Sequence, residues 1–434
     1  MTPQIPRRAV IQGAIVALFS GFTAGRALGA SSVSVSLFGK PLAHSAVLAV
    51  RANQAARVYL EYGTSRGGLN FKTPIVPIAK NVTKNVQVTG LSAHSTIYYR
   101  VRFALGTAKT FSSSPISSFD TAPVAADVPL LANVFAVQAD PHMDENSTEE
   151  VYLKTLAQIV AASPAFLMDL GDIFMVDKLV NKSEANIRAR FELMKGYYGN
   201  LKNIPLKITL GNHDGELGYS NFNTKSYRKE YFPEQSGDLA YYSFLGPDSL
   251  HISLDPFTYT TKNPTSNGWE WTLGKAQYDW LKATLAASRE KHKFIYIHHL
   301  LVGNAQSRGG VEIAKFNEWG GLNIDGTPGF EANRPGWGKP IHQMLIEYNV
   351  GFVFKGHDHL YVKQELDGII YQTVPQPSHA GDKVNSAGEY GYVSGKIVGG
   401  SGFMKVTTLA SEARVEFVKY DGTIADSYVR TVSA

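Results

Sequence analysis

The sequence contains no cysteine. Disulfides, thiolate metal sites and cysteine nucleophiles are therefore excluded, and any metal must be held by imidazole, carboxylate, amide or water. Charge is also scarce: Asp, Glu, Lys and Arg make up 18% of the 434 residues, with a formal net charge of +5. Arg7, Arg8 and Arg26 are the only charged residues in 1–29, and without that segment 39 basic residues face 37 acidic ones. No run is rich in Lys and Arg, so a nucleic acid polymer is not an expected partner. We find no internal repeat. What is plentiful is apolar surface (44%), glycine (40 residues) and aromatics (11%). That mixture favours strands, tight turns and long ordered loops over a helical bundle, and the length favours two domains.

The first residues read as an export signal. Arg7-Arg8 precede an apolar stretch from Gly13 to Gly25, then Ala27-Leu28-Gly29-Ala30. A charged start, a short apolar core and small residues at the exit describe a secretory signal over 1–29, and the apolar run is too short and glycine-rich to span a bilayer comfortably. The paired arginines resemble a twin-arginine signal, from which Pro6 and Gln12 depart. The expected location is periplasmic or extracellular.

Residues 32–122 have period-two alternation, as in Ser32 to Leu37, Arg57 to Tyr62 and Ile97 to Phe103, with turn residues between. Short strands at this spacing predict a small all-β sandwich. Ser112 to Pro129 is rich in Ser, Pro and Ala and reads as a linker. From 133 to 434 apolar strand-like runs alternate with amphipathic stretches such as Ser147 to Ala162 and Lys275 to Ser288, and Tyr241 to Leu254 reads as a hairpin. The expectation is an α/β layered domain of about 300 residues.

Five polar clusters each follow one of its strands: Asp140-Pro141-His142, Gly171-Asp172, Gly211-Asn212-His213-Asp214, His298-His299 and Gly356-His357-Asp358-His359. Parallel strands end on one side, so loops at their carboxyl ends converge. Two aspartates, one amide and four imidazoles are more donors than one metal needs, and they suit two if one carboxylate bridges. His298 and His299 cannot both face the site if the strand continues.

D-x-H, GD, GNH, H and GHxH in this order resemble the calcineurin-like metallophosphoesterase superfamily across about residues 133–434. The resemblance implies a four-layer β-sandwich flanked by helices. It implies that Asp140, His142 and His359 bind one metal, that Asn212, His298 and His357 bind a second, and that Asp172 bridges them. It implies in-line attack of a metal-bridging hydroxide on phosphorus, with His213 stabilising charge or protonating the leaving oxygen. The N-terminal segment, with Tyr62-Gly63-Thr64, Val88 to Leu91, Thr96 to Val101 and Phe119 to Pro123, resembles the fibronectin-III-like domain that precedes the catalytic domain of purple acid phosphatases. One departure matters. Those enzymes carry a tyrosine ligand three residues after the bridging aspartate and lack the first-motif histidine; here Met175 holds that place and His142 is present. Iron, manganese and zinc all suit the donor set.

Between the fourth and fifth motifs, Leu300 to Gly338 is a long glycine- and aromatic-rich insertion. Such loops are often functional. One wall of the substrate pocket is expected there, with Arg308 or Arg334 clamping a phosphate oxygen and Trp319 or Trp337 stacking on an organic group. The rival reading is a surface loop with salt-bridged arginines. The function expected is hydrolysis of small phosphomonoesters or phosphodiesters outside the cytoplasm. Its alternatives are a nucleotide or cyclic-nucleotide phosphohydrolase and, from another class, a binding or adhesion protein with an inactive phosphoesterase scaffold.

Overall fold

The computed structural model describes residues 33–432 apart from 38–40, 42–43, 81, 122–132, 145–146, 203, 217, 222–225, 233–238, 265–266, 303–306, 383 and 385. The export signal expected over 1–29 lies outside the described residues.

Nine strands form the N-terminal sandwich: β1 Val33–Leu37, β2 Ser45–Ala52, β3 Ala56–Gly63, β4 Phe71–Lys72, β5 Val76–Ile78, β6 Thr83–Thr89, β7 Thr96–Leu105, β8 Ser112–Ser113 and β9 Ser117–Asp120. One sheet runs β1-β2-β6; the other runs β4-β3-β7-β8, with β5 on β3 and β9 on β7. Alternation does what it predicts. Leu48, Val50, Val58, Leu60, Ile97 and Val101 face inward and are buried. The opposite face of β2 carries Val47 and Ala49, which pack against the core of the larger domain. The linker reading of 112–121 is corrected. Val101 N–H donates to Ser114 Oγ and Ser114 N–H to the Val101 carbonyl, both at 2.9 Å, so pairing with β7 overrides a composition typical of loops.

The larger domain has two sheets. The first, in order β12-β11-β10-β20-β21-β22, joins β10 Asn133–Gln138, β11 Leu167–Asp169, β12 Leu206–Ile208, β20 Gly402–Thr408, β21 Glu412–Lys419 and β22 Ile424–Thr431. The second, in order β13-β14-β15-β16-β18-β17-β19, joins β13 Tyr242–Gly246, β14 Ser249–Ser253, β15 His292–Ile297, β16 Phe352–Lys355, β17 Tyr361–Leu366, β18 Ile369–Thr373 and β19 Lys396–Val398. β10, β11 and β12 are parallel, as are β14, β15, β16 and β18. β13 and β14 form the expected hairpin.

Four layers result. Phe135, Phe166, Phe294, Phe354 and Phe417 fill the space between the sheets. Helices α1 Glu149–Ala162 and α2 Glu184–Tyr198 cover the first sheet through Leu156, Ile159, Ile187 and Phe191, joined there by Tyr227 of α3 Tyr227–Tyr231. On the second sheet, α4 Gly274–Ala287 and the helix Ile341–Glu347 contribute Tyr278, Leu281, Met344 and Leu345. Both faces of these parallel strands are buried, which is why they read as unbroken apolar runs. Helix α1 falls within the amphipathic stretch from Ser147 to Ala162 and begins after Thr148, whose hydroxyl makes no capping bond; Glu149 and Glu150 meet the helix N-terminus instead.

His251 lies among five aromatic rings between the sheets: Phe135, Phe166, Phe244, Phe294 and Tyr296. Burial pushes its imidazole down to about 3, with His292 adding to the effect. An unfolded chain takes up this proton near pH 6.5 and the folded one refuses it, so stability falls as pH drops from about 6.5 toward 3. Between pH 7 and pH 4 the protein is expected to lose about 3 kcal/mol more than His251→Gln in denaturant titrations. Equal losses would contradict this.

Candidate metal centre

All five clusters emerge from carboxyl ends of parallel strands: Asp140 after β10, Asp172 after β11, Asn212 after β12, His298 after β15 and His357 after β16. The site therefore sits where the edges of both sheets meet. The turns that bring it together are strained. Asp140, His142, Asp172, His357 and His359 all have positive φ, between 51° and 72°. Left-handed backbone is uncommon outside glycine and marks loops held by their surroundings for a purpose. Close approach explains two glycines. A Cβ on Gly211 would fall 2.2 Å from Asp172 Oδ1, and one on Gly356 would fall 2.8 Å from Asp140 Oδ2.

Two groups of side chains converge. Asp140, His142 and His359 form one; Asp172, His298 and His357 form the other, and within each the ligand atoms lie within 4.8 Å of one another. Asn212 joins the second, its Oδ1 3.0 Å from His298 Nε2. His357 Nδ1 is 3.2 Å from that same nitrogen. Asp172 belongs to both groups by position: its Oδ2 is 3.4 Å from His142 Nε2 and 3.3 Å from His298 Nε2. His298 Nδ1 lies 2.8 Å from the Leu170 carbonyl, which fixes the proton there and turns the Nε2 lone pair inward. Nε2 thereby faces two oxygens, Asn212 Oδ1 and Asp172 Oδ2.

Carboxylate oxygens and imidazole nitrogens brought together in this way suit a cation. In the first group, Asp140 Oδ1 and His142 Nε2 are buried and have no hydrogen-bond partner among the described residues. Orphaned buried polar atoms are costly, and here both face the other ligands. The electrostatics agree. Burial opposes charge on Asp172, but His298, His213 and His142 outweigh it and hold the carboxyl well below the usual range. Burial likewise lowers His142 and His298, yet Asp144 with Asp172 raises the first to about 10, and Asp172 with Asp140 raises the second to about 9. In each group the carboxylates thus raise the proton affinity of one imidazole, which marks a local excess of negative charge. The residues present fit a metal at both places.

Further side chains hold the ligands. Asp214 accepts backbone N–H bonds from Asp172, Ile173, Phe174 and Gly211 at 2.7–3.0 Å, tying two ligand loops together. The Asp140 carboxylate accepts the His357 N–H at 2.8 Å. Arg190 on α2 donates to the carbonyls of Met143 and Phe174. His213 Nδ1 lies 2.7 Å from Asp177 Oδ2. Burial lowers the His213 imidazole, but Asp172 and Asp177 together raise it above its ordinary value. Sequence reasoning missed Asp177; its only signal was an acid five residues past Asp172, in the turn Val176–Lys178. His299, as expected, faces away, packed on Trp271 with its Nδ1 2.8 Å from the Leu300 carbonyl. Met175 is buried.

The insertion differs from expectation. Its only described approach to the centre is near Arg308, which donates to the His357 carbonyl at 2.5 Å, pairs with Asp358 at 3.4 Å and stacks on Tyr390. The clamp expected of Arg334 is corrected: its guanidinium is taken up by Glu318 and by the carbonyls of Asn333, Trp269 and Trp271. Trp319 is fully buried and donates to the Tyr371 hydroxyl, and Trp337 packs on Tyr278. Trp319 has no face free for the stacking expected of it, and the half-buried Trp337 packs on the core of the second sheet and under Arg334.

A family model for the calcineurin-like phosphoesterase matches residues 134–361. No curated protein matches the chain significantly. Among solved structures, PhoD is similar at 14% identity and TM-score 0.47, over 92% of this chain and 88% of that one. GAP50, the anchor in the inner membrane complex of Plasmodium, is similar at 14% identity and TM-score 0.47, over 70% and 90%. A putative 5'-nucleotidase from Staphylococcus aureus is similar at 11% identity and TM-score 0.36, over 70% and 55%.

Proposed function

The chain belongs to the calcineurin-like phosphoesterase family and is a metal-dependent phosphoester hydrolase, and from that premise we propose that it cleaves small phosphomonoesters or phosphodiesters with two cations drawn from iron, manganese and zinc. The observation that carries the count is Asp172 Oδ2, placed 3.4 Å from a histidine of one group and 3.3 Å from a histidine of the other. Asp140, His142 and His359 would hold the first cation, Asn212, His298 and His357 the second, and Asp172 both. When bound, the pair supplies charge that acidifies water and offsets the phosphoryl oxygens.

The chain's own groups do the rest. His213, oriented by Asp177 and with its proton affinity raised by Asp172 and Asp177, would present Nε2 as a donor to a phosphoryl or leaving oxygen. Its side chain is 18% exposed, so substrate can reach it. Arg308 borders the second group and is a candidate phosphate contact; Arg334 is not. The N-terminal sandwich we read as fibronectin-III-like, on its alternating strands and turn motifs. Export rests on Arg7-Arg8 and the apolar stretch behind them. No helix among the described residues is long and apolar enough to cross a membrane.

The test is a substrate panel on chelator-treated and metal-restored protein: p-nitrophenyl phosphate, its bis ester, a nucleotide and a cyclic nucleotide. Chelation is expected to abolish turnover, and manganese, zinc or iron to restore it. Undiminished turnover without metal would overturn the reading. No turnover of any ester by metal-loaded protein would favour an inactive scaffold.

A further inference from the structure

Beyond the ligands and His213, we propose that Arg190 is the positioning residue of the first ligand group: it holds the turn that aims His142, and so sets the affinity of one of the two cations and not of the other. This rests on the two-cation reading of the site. The turn needs holding. His142 has φ 51° and Asp140, two residues before it, has φ 57°. Backbone in such sparsely populated regions persists only where its surroundings over-determine it. Here the carbonyls on both sides of His142 are taken by side chains from distant parts of the chain. Ser378 Oγ donates to the Pro141 carbonyl at 2.6 Å, and Arg190 Nη1 donates to the Met143 carbonyl at 2.8 Å. The His142 N–H between them donates to the Asp172 carbonyl at 3.3 Å.

Arg190 also reaches the neighbouring loop. Its Nε donates to the Phe174 carbonyl at 3.0 Å, two residues past Asp172. One planar guanidinium thus ties the loop of His142 to the loop of the shared carboxylate, and the two side chains meet at 3.4 Å. Lysine has no such rigid fork of donors. The helix that carries Arg190 is anchored on the same loops. Phe191 stacks on Phe174 with ring centres 3.9 Å apart, and Ile187 and Met194 pack in the core that contains Met143. The second group is held by other means. Asp214 ties the Asp172 and Gly211 N–H groups, the Leu170 carbonyl orients His298, and Asp140 accepts the His357 N–H. Loss of the guanidinium would therefore fall on His142 first. Partners that orient a metal ligand typically govern its affinity for the ion.

The variants Arg190→Met and Arg190→Lys test this. Arg188→Met is the control, because it removes an arginine of the same helix that pairs with Glu184 and Glu230. The full chain is freed of metal and titrated with manganese by calorimetry for the Kd of each ion, and the thermal midpoint of the metal-free protein is read alongside. Arg190→Met is expected to weaken one ion by about 10- to 100-fold and to leave the other at its parental value. Arg190→Lys should fall between, and Arg188→Met should bind both ions as the parent does. His142→Ala should weaken the same ion, and adding Arg190→Met to it should cost little more, since positions that act through one another do not add. Two parental Kd values in Arg190→Met, even with a lowered thermal midpoint, would overturn the proposal. Equal weakening of both ions, or full additivity with His142→Ala, would overturn it too. Should Arg190→Met fail to fold, Arg190→Lys, which keeps the charge and the stem, decides by the same readings. A parent protein that binds one ion or none would overturn the two-cation reading itself.

Discussion

Asp172→Ala is expected to eliminate measurable hydrolysis and to strip metal from both ligand groups. The loss should exceed the about 10²–10³-fold that removal of a single oxyanion donor costs, because Asp172 is shared. Its Oδ2 approaches His142 of one group and His298 of the other, and its Oδ1 accepts the His213 N–H at 2.8 Å. One substitution thus disturbs both groups and the loop of the expected acid. Asp172→Asn separates charge from shape. It retains an oxygen but carries no charge to balance a cation, so metal content should fall there too. Asp177→Asn is the contrast, since Asp177 touches His213 and no ligand: kcat should fall about 10- to 100-fold with metal retained. Full metal content in Asp172→Ala, by elemental analysis, would remove this residue from the centre.

Asp358→Ala is expected to cost about 3–5 kcal/mol of folding stability, read as a lower denaturant midpoint. Asp358 sits between two candidate ligands, and its carboxylate turns instead to Lys355 and Gly309. Both it and Lys355 are fully buried, and they pair at 2.7 Å. The carboxylate also accepts the Gly309 N–H at 3.0 Å and the Tyr392 hydroxyl, and it lies 3.4 Å from Arg308. Truncation would leave the Lys355 ammonium buried without its counter-charge. The double variant Lys355→Met with Asp358→Leu should recover part of that loss, because apolar groups of similar size often replace a buried pair without penalty. A change under about 1 kcal/mol in Asp358→Ala would mean that water reaches this network.

The convergence of the candidate ligands was legible because each sits just past a run of apolar residues, and such runs identify buried parallel strands whose ends must meet. Glycine precedes Asp172, Asn212 and His357 in the sequence, and the contacts at Gly211 and Gly356 show why a side chain would not fit there. Positive φ at Asp140, His142, His357 and His359 was not legible, since Asp and His, though enriched in left-handed turns, adopt them in only a small fraction of cases. The second layer was hidden for a related cause. Asp177 meets His213 only because a single helical turn follows Met175. Arg334 misled because a cation beside Trp337 reads equally well as a phosphate clamp or as a partner for Glu318, and only packing decides. The run 112–121 misled because Ser-rich sequence carries little strand signal until β7 supplies a partner.

The central claim is that two cations share Asp172 in one phosphoesterase site. Metal content set against turnover tests it most directly: the chelated protein is titrated with manganese or zinc while bound metal and p-nitrophenyl phosphate hydrolysis are followed together. The account predicts saturation at two ions per chain, with activity emerging only as the second is taken up. Full activity at one ion per chain, or with none, would contradict it.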